Sequence, residues 1–362
     1  MKRSFDIAVL LTLAGLMMAC TKVEKTDTPE RIAYSVGSYA HTTKAGELSL
    51  NEDEGITAFS SKAFLHDRGQ AVGSEYFSST ISWDETSRTW SPSQDYFWPK
   101  HPQSYLNFVS WYASAGITPT TVTETAFSIT REIAPTDRIL LADVAWRYSS
   151  NQSTYNLNGA APGVPTLFHH MLTSLTIKVG LLTATDPIDA GTTYSVTLQD
   201  VTLMGHYCEG SMDMTNQDNG TTRTWAWESE DEPVLYWSPT SGTDNTPKAI
   251  VSSNTTVSTT PVAVLDNCSM MPQQLTDNVV LHVVFSLSST KNGNVTYRED
   301  NIAQDIVLNT VKNTSDVAIV SWVPNKKYTY NLIIDPTTSY IYFNPTMEES
   351  WGLDQDNKMY VE

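Results

Sequence analysis

The chain has 362 residues, enough for two domains of ordinary size, and a formal net charge of −18. That charge argues against binding to nucleic acid or to anionic lipid headgroups, because both require a basic protein surface. Only 17% of the residues are charged, and Ser, Thr, Asn and Tyr are frequent, which favours β structure over helix.

Residues 1–19 predict a signal peptide. Lys2 and Arg3 precede an apolar stretch from Ile7 to Met18 that is too short to span a membrane. The residue that follows Ala19 is Cys20, an arrangement that resembles bacterial lipoprotein signals, which are cleaved before a cysteine whose thiol is then acylated. We therefore expect Cys20 to carry the lipid, residues 20–30 to form a tether, and the membrane to be contacted only through the lipid. A plain secretory signal is the alternative.

The mature chain predicts an all-β fold. Apolar and polar residues alternate with a period of two in many short segments, and no segment has helical periodicity over three turns. In the first of these segments, Ile32, Tyr34 and Val36 fall on one face. The clearest strands are Ile32–Tyr39, Tyr105–Tyr112, Tyr194–Gly205, Val279–Leu287 and Lys327–Asp335. Short strands separated by Gly-, Pro- and Asn-rich turns are typical of sandwiches and barrels.

A Pro- and Gly-rich stretch at residues 157–165 marks the predicted domain boundary. Cutting at Pro162 assigns residues 31–162 to an N-terminal domain and residues 163–362 to a C-terminal domain.

Two adjacent histidines, His169 and His170, lie in an apolar run that begins at Gly163. On an extended strand consecutive side chains point to opposite faces, so the pair cannot readily chelate one ion. No nucleophile elbow, phosphate-binding loop or metal-ligand spacing occurs elsewhere in the chain. We therefore expect no catalytic residue, no metal and no cofactor. A secreted hydrolase would need two carboxylates that converge in a cleft, whereas the acidic runs here are interpreted as solvated turns.

The ten tryptophans suggest a rival function. Trp225 and Trp227 are two residues apart, so on a strand they would share one face and could stack on sugar rings. Core packing or cross-strand pairing is the alternative interpretation of the same two residues.

Cys208 and Cys268 are the cysteines that remain after Cys20. They could form a disulfide in an oxidising compartment or stay as two thiols, and their spacing does not decide between these outcomes.

After the signal and tether, the chain reads IAYSVGSYAHTTKAG, YFWPKHPQSYLNFVSWY, VPTLFHHMLTSLTIKV, SWVPNKKYTYNLII and YIYFNPTMEESW. In this order the segments resemble the fimbrillin family, the fimbrillin-like (Mfa-like) lipoproteins of Bacteroidales that build type V pili. The resemblance implies two consecutive transthyretin-like β-sandwich domains. It also implies that Phe168 and His169 begin the first core strand of the second domain.

The resemblance further implies a mechanism of assembly. In fimbrillins a protease cuts after a basic residue that follows the first strand; that strand leaves, and its groove accepts a strand from another subunit. Here the cut would fall between Lys44 and Ala45, removing residues 31–44 with Ile32, Tyr34 and Val36. The donor of a stalk subunit would lie near residues 340–351. Uncut members act as anchors, and tip members do not donate.

The sequence therefore predicts a non-enzymatic pilus subunit at the outer membrane and cell surface. Its expected partners are other pilus subunits, a processing protease and host or bacterial surface glycans. The alternative is a stand-alone carbohydrate-binding surface lipoprotein that uses Trp225 and Trp227.

Overall fold

The structure is a computed structural model in which twenty-four strands can be described. The described residues are 29–38, 50–51, 54–68, 70, 72–101, 104–142, 163–183, 191–215, 217–218, 223–224, 237–239, 248–251, 253–312, 317–339 and 341–348. Within these ranges a 3-10 turn at Leu308–Thr310 is the one helical element, and no helix is long and apolar enough to cross a membrane. The prediction of an all-β fold is confirmed.

Nine strands precede residue 171. They are β1 (Tyr34–Ser38), β2 (Ala58–His66), β3 (Ser74–Asp84), β4 (Thr89–Pro92), β5 (Tyr105–Ala113), β6 (Thr121–Val122), β7 (Ala126–Glu132), β8 (Ile139–Ala142) and β9 (Val164–His170). Seven of them close into a barrel in the order β1-β4-β3-β2-β5-β8-β9. The barrel surrounds an apolar cluster, here called the N-terminal core, which includes Phe59, Trp90, Phe108 and Phe168.

Fifteen strands follow. They are β10 (Thr173–Leu181), β11 (Thr192–Met204), β12 (Glu209–Thr215), β13 (Gln217–Asp218), β14 (Arg223–Thr224), β15 (Trp237–Pro239), β16 (Lys248–Val251), β17 (Thr255–Val257), β18 (Val262–Met270), β19 (Gln273–Gln274), β20 (Val280–Lys291), β21 (Asn294–Val307), β22 (Ser321–Trp322), β23 (Lys327–Ile334) and β24 (Ile341–Glu348). Two sheets, ordered β18-β10-β23-β24 and β16-β11-β20-β21, contribute to one apolar cluster. Strict alternation builds this cluster: along β20, Leu281, Val283, Phe285 and Leu287 are buried and the residues between them are not.

One sheet connects strands from either side of the predicted boundary. Its order is β15-β12-β7-β6, and β12 pairs with β7 over residues Glu209–Thr215. Behind it lies a mixed apolar cluster in which Met171, Met212 and Met271 pack with Phe127 and Ile129. The two halves of the described chain are therefore joined by hydrogen bonds and by a shared core.

Strand β9 corrects one expectation. Phe168 and His169 do not begin the first core strand of the second half, because β9 pairs with β1 and β8 and completes the barrel. The Phe168 ring packs against Phe59, with ring centroids 5.0 Å apart. Strands β9 and β10 are both apolar and only Met171 and Leu172 separate them, so periodicity could not assign each strand to its sheet. The division at Pro162 lies outside the described residues and stays a prediction.

A buried polar cluster joins β2 to the turn between β6 and β7. His66 approaches the Gln70 carbonyl through Nδ1 at 2.8 Å and the Glu124 carboxylate through Nε2 at 2.6 Å. Asn107 donates to the same carboxylate at 3.3 Å, and the Tyr105 ring stacks on the imidazole with centroids 4.6 Å apart. Since the side chains of His66 and Glu124 are 0% and 6% exposed, removing either one would take away the shortest polar contact of the other in a site closed to water.

Replacing Glu124 with alanine should lower the free energy of unfolding by about 3 kcal/mol, because it leaves a buried imidazole without its carboxylate. The matched control is Asp300→Ala, which removes the exposed partner of Arg298 and should cost less than about 1 kcal/mol. Equal losses in denaturant unfolding of the two variants would contradict this account of the cluster.

Gly205, just after β11, should be intolerant of any side chain. Its φ is +72°, and an added Cβ would lie 1.8 Å from the Asn278 carbonyl oxygen. Gly116 has a similar φ of +84° but open space around the added atom. We therefore expect Gly116→Ala to cost about 1 kcal/mol from backbone strain alone and Gly205→Ala to cost about 3 kcal/mol or more. Thermal unfolding of both variants tests this, and similar melting temperatures would show that the clash relaxes.

Candidate functional site

The candidate site is strand β1 together with the walls that hold it. On one side β1 runs parallel to β9, from Tyr34 opposite Val164 to Ser38 opposite Phe168. On the other side it pairs with β4 at a single register position, Tyr34 opposite Trp90. Strand β1 therefore closes the barrel, and most of its backbone pairing comes from β9.

The residues just before β1 add hydrogen bonds on the side of β4, where β1 itself has little pairing. The Ile32 amide donates to the Tyr96 carbonyl at 2.8 Å, and the Trp98 amide donates to the Glu30 carbonyl at 3.0 Å. Arg31 forms an ion pair with Asp95 at 3.0 Å, but both side chains are more than half exposed, so its contribution is small.

Three side chains anchor β1 in the N-terminal core. Ile32, Tyr34 and Val36 are 3%, 0% and 2% exposed. The Tyr34 ring makes edge-on contacts with Phe59 and Phe108, each with centroids 5.8 Å apart. The face predicted for these residues is therefore the buried one, whereas removal of the strand stays a prediction.

The tip of the Tyr34 ring reaches a polar spot in this aromatic core. The Tyr34 hydroxyl donates to Ser61 Oγ at 3.0 Å, and Ser110 Oγ donates to the same atom at 2.8 Å. Ser61 and Ser110 are directly opposite on β2 and β5, and both are 0% exposed. Burial raises the pKa of the Tyr34 phenol well above its usual value, so the hydroxyl stays protonated.

A glycine allows β1 to approach the start of β9 closely. The Val164 amide donates to the Ala33 carbonyl at 2.8 Å. At Gly163 an added Cβ would lie 2.5 Å from the Ala33 carbonyl group and 2.6 Å from the Tyr34 nitrogen. Any side chain at residue 163 would thus push against the backbone of β1.

Sequence reasoning did not identify Ser61, Ser110 or Gly163. The sequence contains a weak signal for the two serines, because each occupies a position on its strand that alternation assigns to the core. Gly163 looked like part of a linker, and only the position of β1 shows why a glycine is needed there.

Several predicted site residues lie outside the described ranges. They are Cys20, Lys44, Ala45, Trp225 and Trp227. The lipid, the cut and the tryptophan platform therefore stay predictions. The predicted donor region is described in part: Ile341–Glu348 forms β24, which pairs antiparallel with β23 at the end of its sheet.

The two histidines occupy opposite faces of β9. His170 is buried and contacts Glu54 Oε1 through Nε2 at 3.1 Å, close to the guanidinium of Arg138. Burial and, secondarily, the neighbouring His170 lower the pKa of His169 to about 4, so its ring is neutral at pH 7. In the part of the chain that the structure describes, no three His, Cys, Asp or Glu side chains form a group that could hold a metal ion.

Cys208 and Cys268 are both thiols in the structure, the first partly buried and the second buried. Of the two outcomes that the sequence left open, the structure thus has the reduced one.

Comparison with known proteins assigns the chain to a family. The chain matches the fimbrillin-like family over residues 43–351. A solved fimbrial protein from Bacteroides vulgatus is similar with a TM-score of 0.51 and 14% identity, covering 89% of this chain and 99% of that one. A solved tip fimbrial protein, Mfa3 from Porphyromonas gingivalis with a C-terminal truncation, has a TM-score of 0.39 and 10% identity, covering 89% of this chain and 100% of that one. A comparison with curated protein sequences finds no match.

The likeness to the Bacteroides vulgatus protein shows a shared fold. The family match includes most of the barrel and the sheets that follow it, up to and beyond β24. The chain belongs to the fimbrillin-like family and is a structural subunit rather than an enzyme.

Proposed function

We propose that this protein is a pilus subunit that reaches the cell surface as a lipoprotein acylated at Cys20, is cut after Lys44, and assembles by exchange of its first strand. Membership of the fimbrillin-like family supports the role in a pilus. The observation that carries the exchange step is the position of β1, the short strand that closes the barrel.

Removal of β1 would open a groove between β9 and β4. The pairing of five residues of β9 with β1 would be lost, and the aromatic side chains of Phe59, Trp90 and Phe108 would face solvent. An incoming strand satisfies both deficits, because it supplies backbone partners and apolar side chains together. Burial of three large side chains contributes roughly 5–8 kcal/mol before the cost of ordering the donor is subtracted.

The position of Lys44 supports its role as the cut site. Residue 44 falls between the end of β1 at Ser38 and the next described residue, Leu50, which is fully buried. A cut there would free β1 without removing any other described strand. Cutting at Arg31 would leave β1 attached to the barrel and open nothing.

The edge strand β24 is the proposed donor if the protein forms the stalk. It pairs with β23 along Ile341–Glu348, and β23 also has β10 as its other neighbour. Loss of β24 would therefore leave the remaining sheet of β18, β10 and β23 connected. We further propose that the two halves correspond to consecutive transthyretin-like sandwiches, with β9 belonging to the first because it completes the barrel.

Subunits taken from shed fibres should begin at Ala45, and a Lys44→Ala variant should keep its first strand and stay out of fibres. Intact-mass and N-terminal measurements on fibre and membrane fractions test this. Lys291→Ala, at an exposed position at the end of β20, is the matched control and should be processed and assembled normally. Fibres whose subunits begin at acylated Cys20 would contradict the cut and indicate an anchor.

Gly163→Ala should loosen β1 in the uncut protein, because the new Cβ would overlap the backbone of Ala33 and Tyr34. We expect a loss of about 2 kcal/mol or more in the free energy of unfolding, with faster hydrogen exchange in the peptide that contains β1. Gly191→Ala adds a Cβ in open space at a φ of +83° and should change exchange only around its own turn. Unchanged exchange of β1 in Gly163→Ala would mean that β9 moves instead.

A further inference from the structure

We infer that the groove of β1 selects its occupant by a phenolic hydroxyl: it accepts a strand of another subunit with the pattern aliphatic–x–Tyr–x–aliphatic and discriminates against phenylalanine at the central position. This inference rests on the proposed strand exchange and specifies the partner that the same groove takes.

The selecting element is the pair Ser61 and Ser110 at the bottom of the groove. Both side chains are 0% exposed, and they stand on neighbouring strands at the N-terminal core, whose aromatic side chains include Phe59 and Phe108. Ser61 Oγ accepts one hydrogen bond from Ser110 and a second from Tyr34. An occupant without a hydroxyl at this depth leaves Ser61 Oγ with the hydrogen bond from Ser110 alone, and it loses the contribution of one buried hydrogen bond that water cannot replace.

The aromatic walls fix where the hydroxyl must lie. The Tyr34 ring is held edge-on by both Phe59 and Phe108, so its axis is set by rings on β2 and β5, the same strands that carry Ser61 and Ser110. A serine or threonine at position 34 would be too short to bring its hydroxyl to Ser61, because the full length of the Tyr34 ring lies between the backbone and the hydroxyl. Tyrosine is therefore the side chain that fills the apolar volume and also reaches Ser61.

The flanking positions require apolar side chains. Ile32 and Val36 are 3% and 2% exposed and belong to the same core as Tyr34. A charged or amide side chain at either position would be buried without a compensating group among the apolar neighbours. The full requirement is thus an aliphatic residue two positions before and two positions after the tyrosine.

The last part of this chain lacks that pattern. Tyr340 has Thr338 and Tyr342 at the flanking positions, Tyr342 has Tyr340 and Asn344, and Tyr360 has Lys358 and Glu362. The aliphatic–x–aromatic segment that starts at Ile341 places Phe343 at the centre and Pro345 after it, and proline lacks the backbone donor that Val36 has. The occupant that we infer is therefore a strand from a different kind of subunit, not a second copy of residues 338–362, and β24 would be donated to a different kind of groove.

The test uses the full chain with a site-specific protease sequence inserted between residues 43 and 46, cut in vitro so that the first strand is held without a covalent link. Fluorescent peptides spanning residues 29–38 compete for the groove, with Tyr, Phe or Ala at position 34. We expect the Phe peptide to bind about tenfold more weakly than the Tyr peptide, since one buried hydrogen bond is lost. A peptide spanning residues 339–348 should bind at least tenfold more weakly than the Tyr peptide as well.

Groove variants show whether the serines are the cause. In Ser61→Ala, and more completely in Ser61→Ala/Ser110→Ala, the preference for the Tyr peptide should be lost or reversed in favour of the Phe peptide, because the oxygen that accepts from the phenol is gone and the hydroxyl is buried without that partner. The uncut variants are first compared with the parent by unfolding, so that a misfolded groove is recognised. The peptide series on the parent groove does not depend on those variants.

Each outcome has a distinct meaning. Equal binding of Tyr and Phe peptides to the parent groove overturns the selectivity and leaves strand exchange intact. A tenfold preference that persists in Ser61→Ala/Ser110→Ala overturns the assignment to the serines. A cut chain that binds none of the peptides overturns strand exchange itself, and the selectivity with it.

Discussion

The parallel pairing of β1 with β9 is the interaction on which the barrel depends. This pairing joins the two ends of the strand order and so closes the sheet into a barrel. It extends over five residues, whereas β1 meets β4 at only one register position. A strand held mainly by one neighbour and by three buried side chains can be firmly seated yet separable, because no second full row of hydrogen bonds must break. The same asymmetry means that β9 contributes most to the register of whatever occupies the groove, and a shift by one residue would turn the buried face outward.

The position of β9 also links the groove to the rest of the molecule. Only Met171 and Leu172 separate it from β10, which is a central strand of the next sheet. Both residues are fully buried in the mixed cluster with Met212 and Met271. Force applied to an occupant of the groove would thus reach the second half through two consecutive strands and a packed core, not through a flexible linker. That continuity suits a subunit that must transmit tension along a fibre.

The sequence predicted individual strands well because each has one buried face, and alternation reports that directly. The predicted strand Tyr105–Tyr112 differs from β5 by one residue, and Lys327–Asp335 differs from β23 by one. Pairing was harder to predict, because β9 and β10 are equally apolar and their partners lie far away in the chain. The residues of the candidate site were likewise predictable only in part. Ile32, Tyr34 and Val36 were identified from alternation and family resemblance, whereas Ser61, Ser110 and Gly163 acquire meaning only through contacts across the barrel.

The groove separates affinity from selectivity. Apolar burial by Ile32, the Tyr34 ring and Val36 would be supplied almost equally well by many hydrophobic strands, since burial is not directional. Discrimination therefore needs a directional group, and the buried serine pair provides one because Ser61 Oγ has an accepting position that only a hydroxyl of the occupant fills. A core of alanine or valine at residues 61 and 110 would instead favour Phe, because the Tyr hydroxyl would be buried without an acceptor. Two hydroxyls at these positions reduce the apolar packing of the core, but they allow the groove to discriminate between tyrosine and phenylalanine, which differ by one oxygen atom.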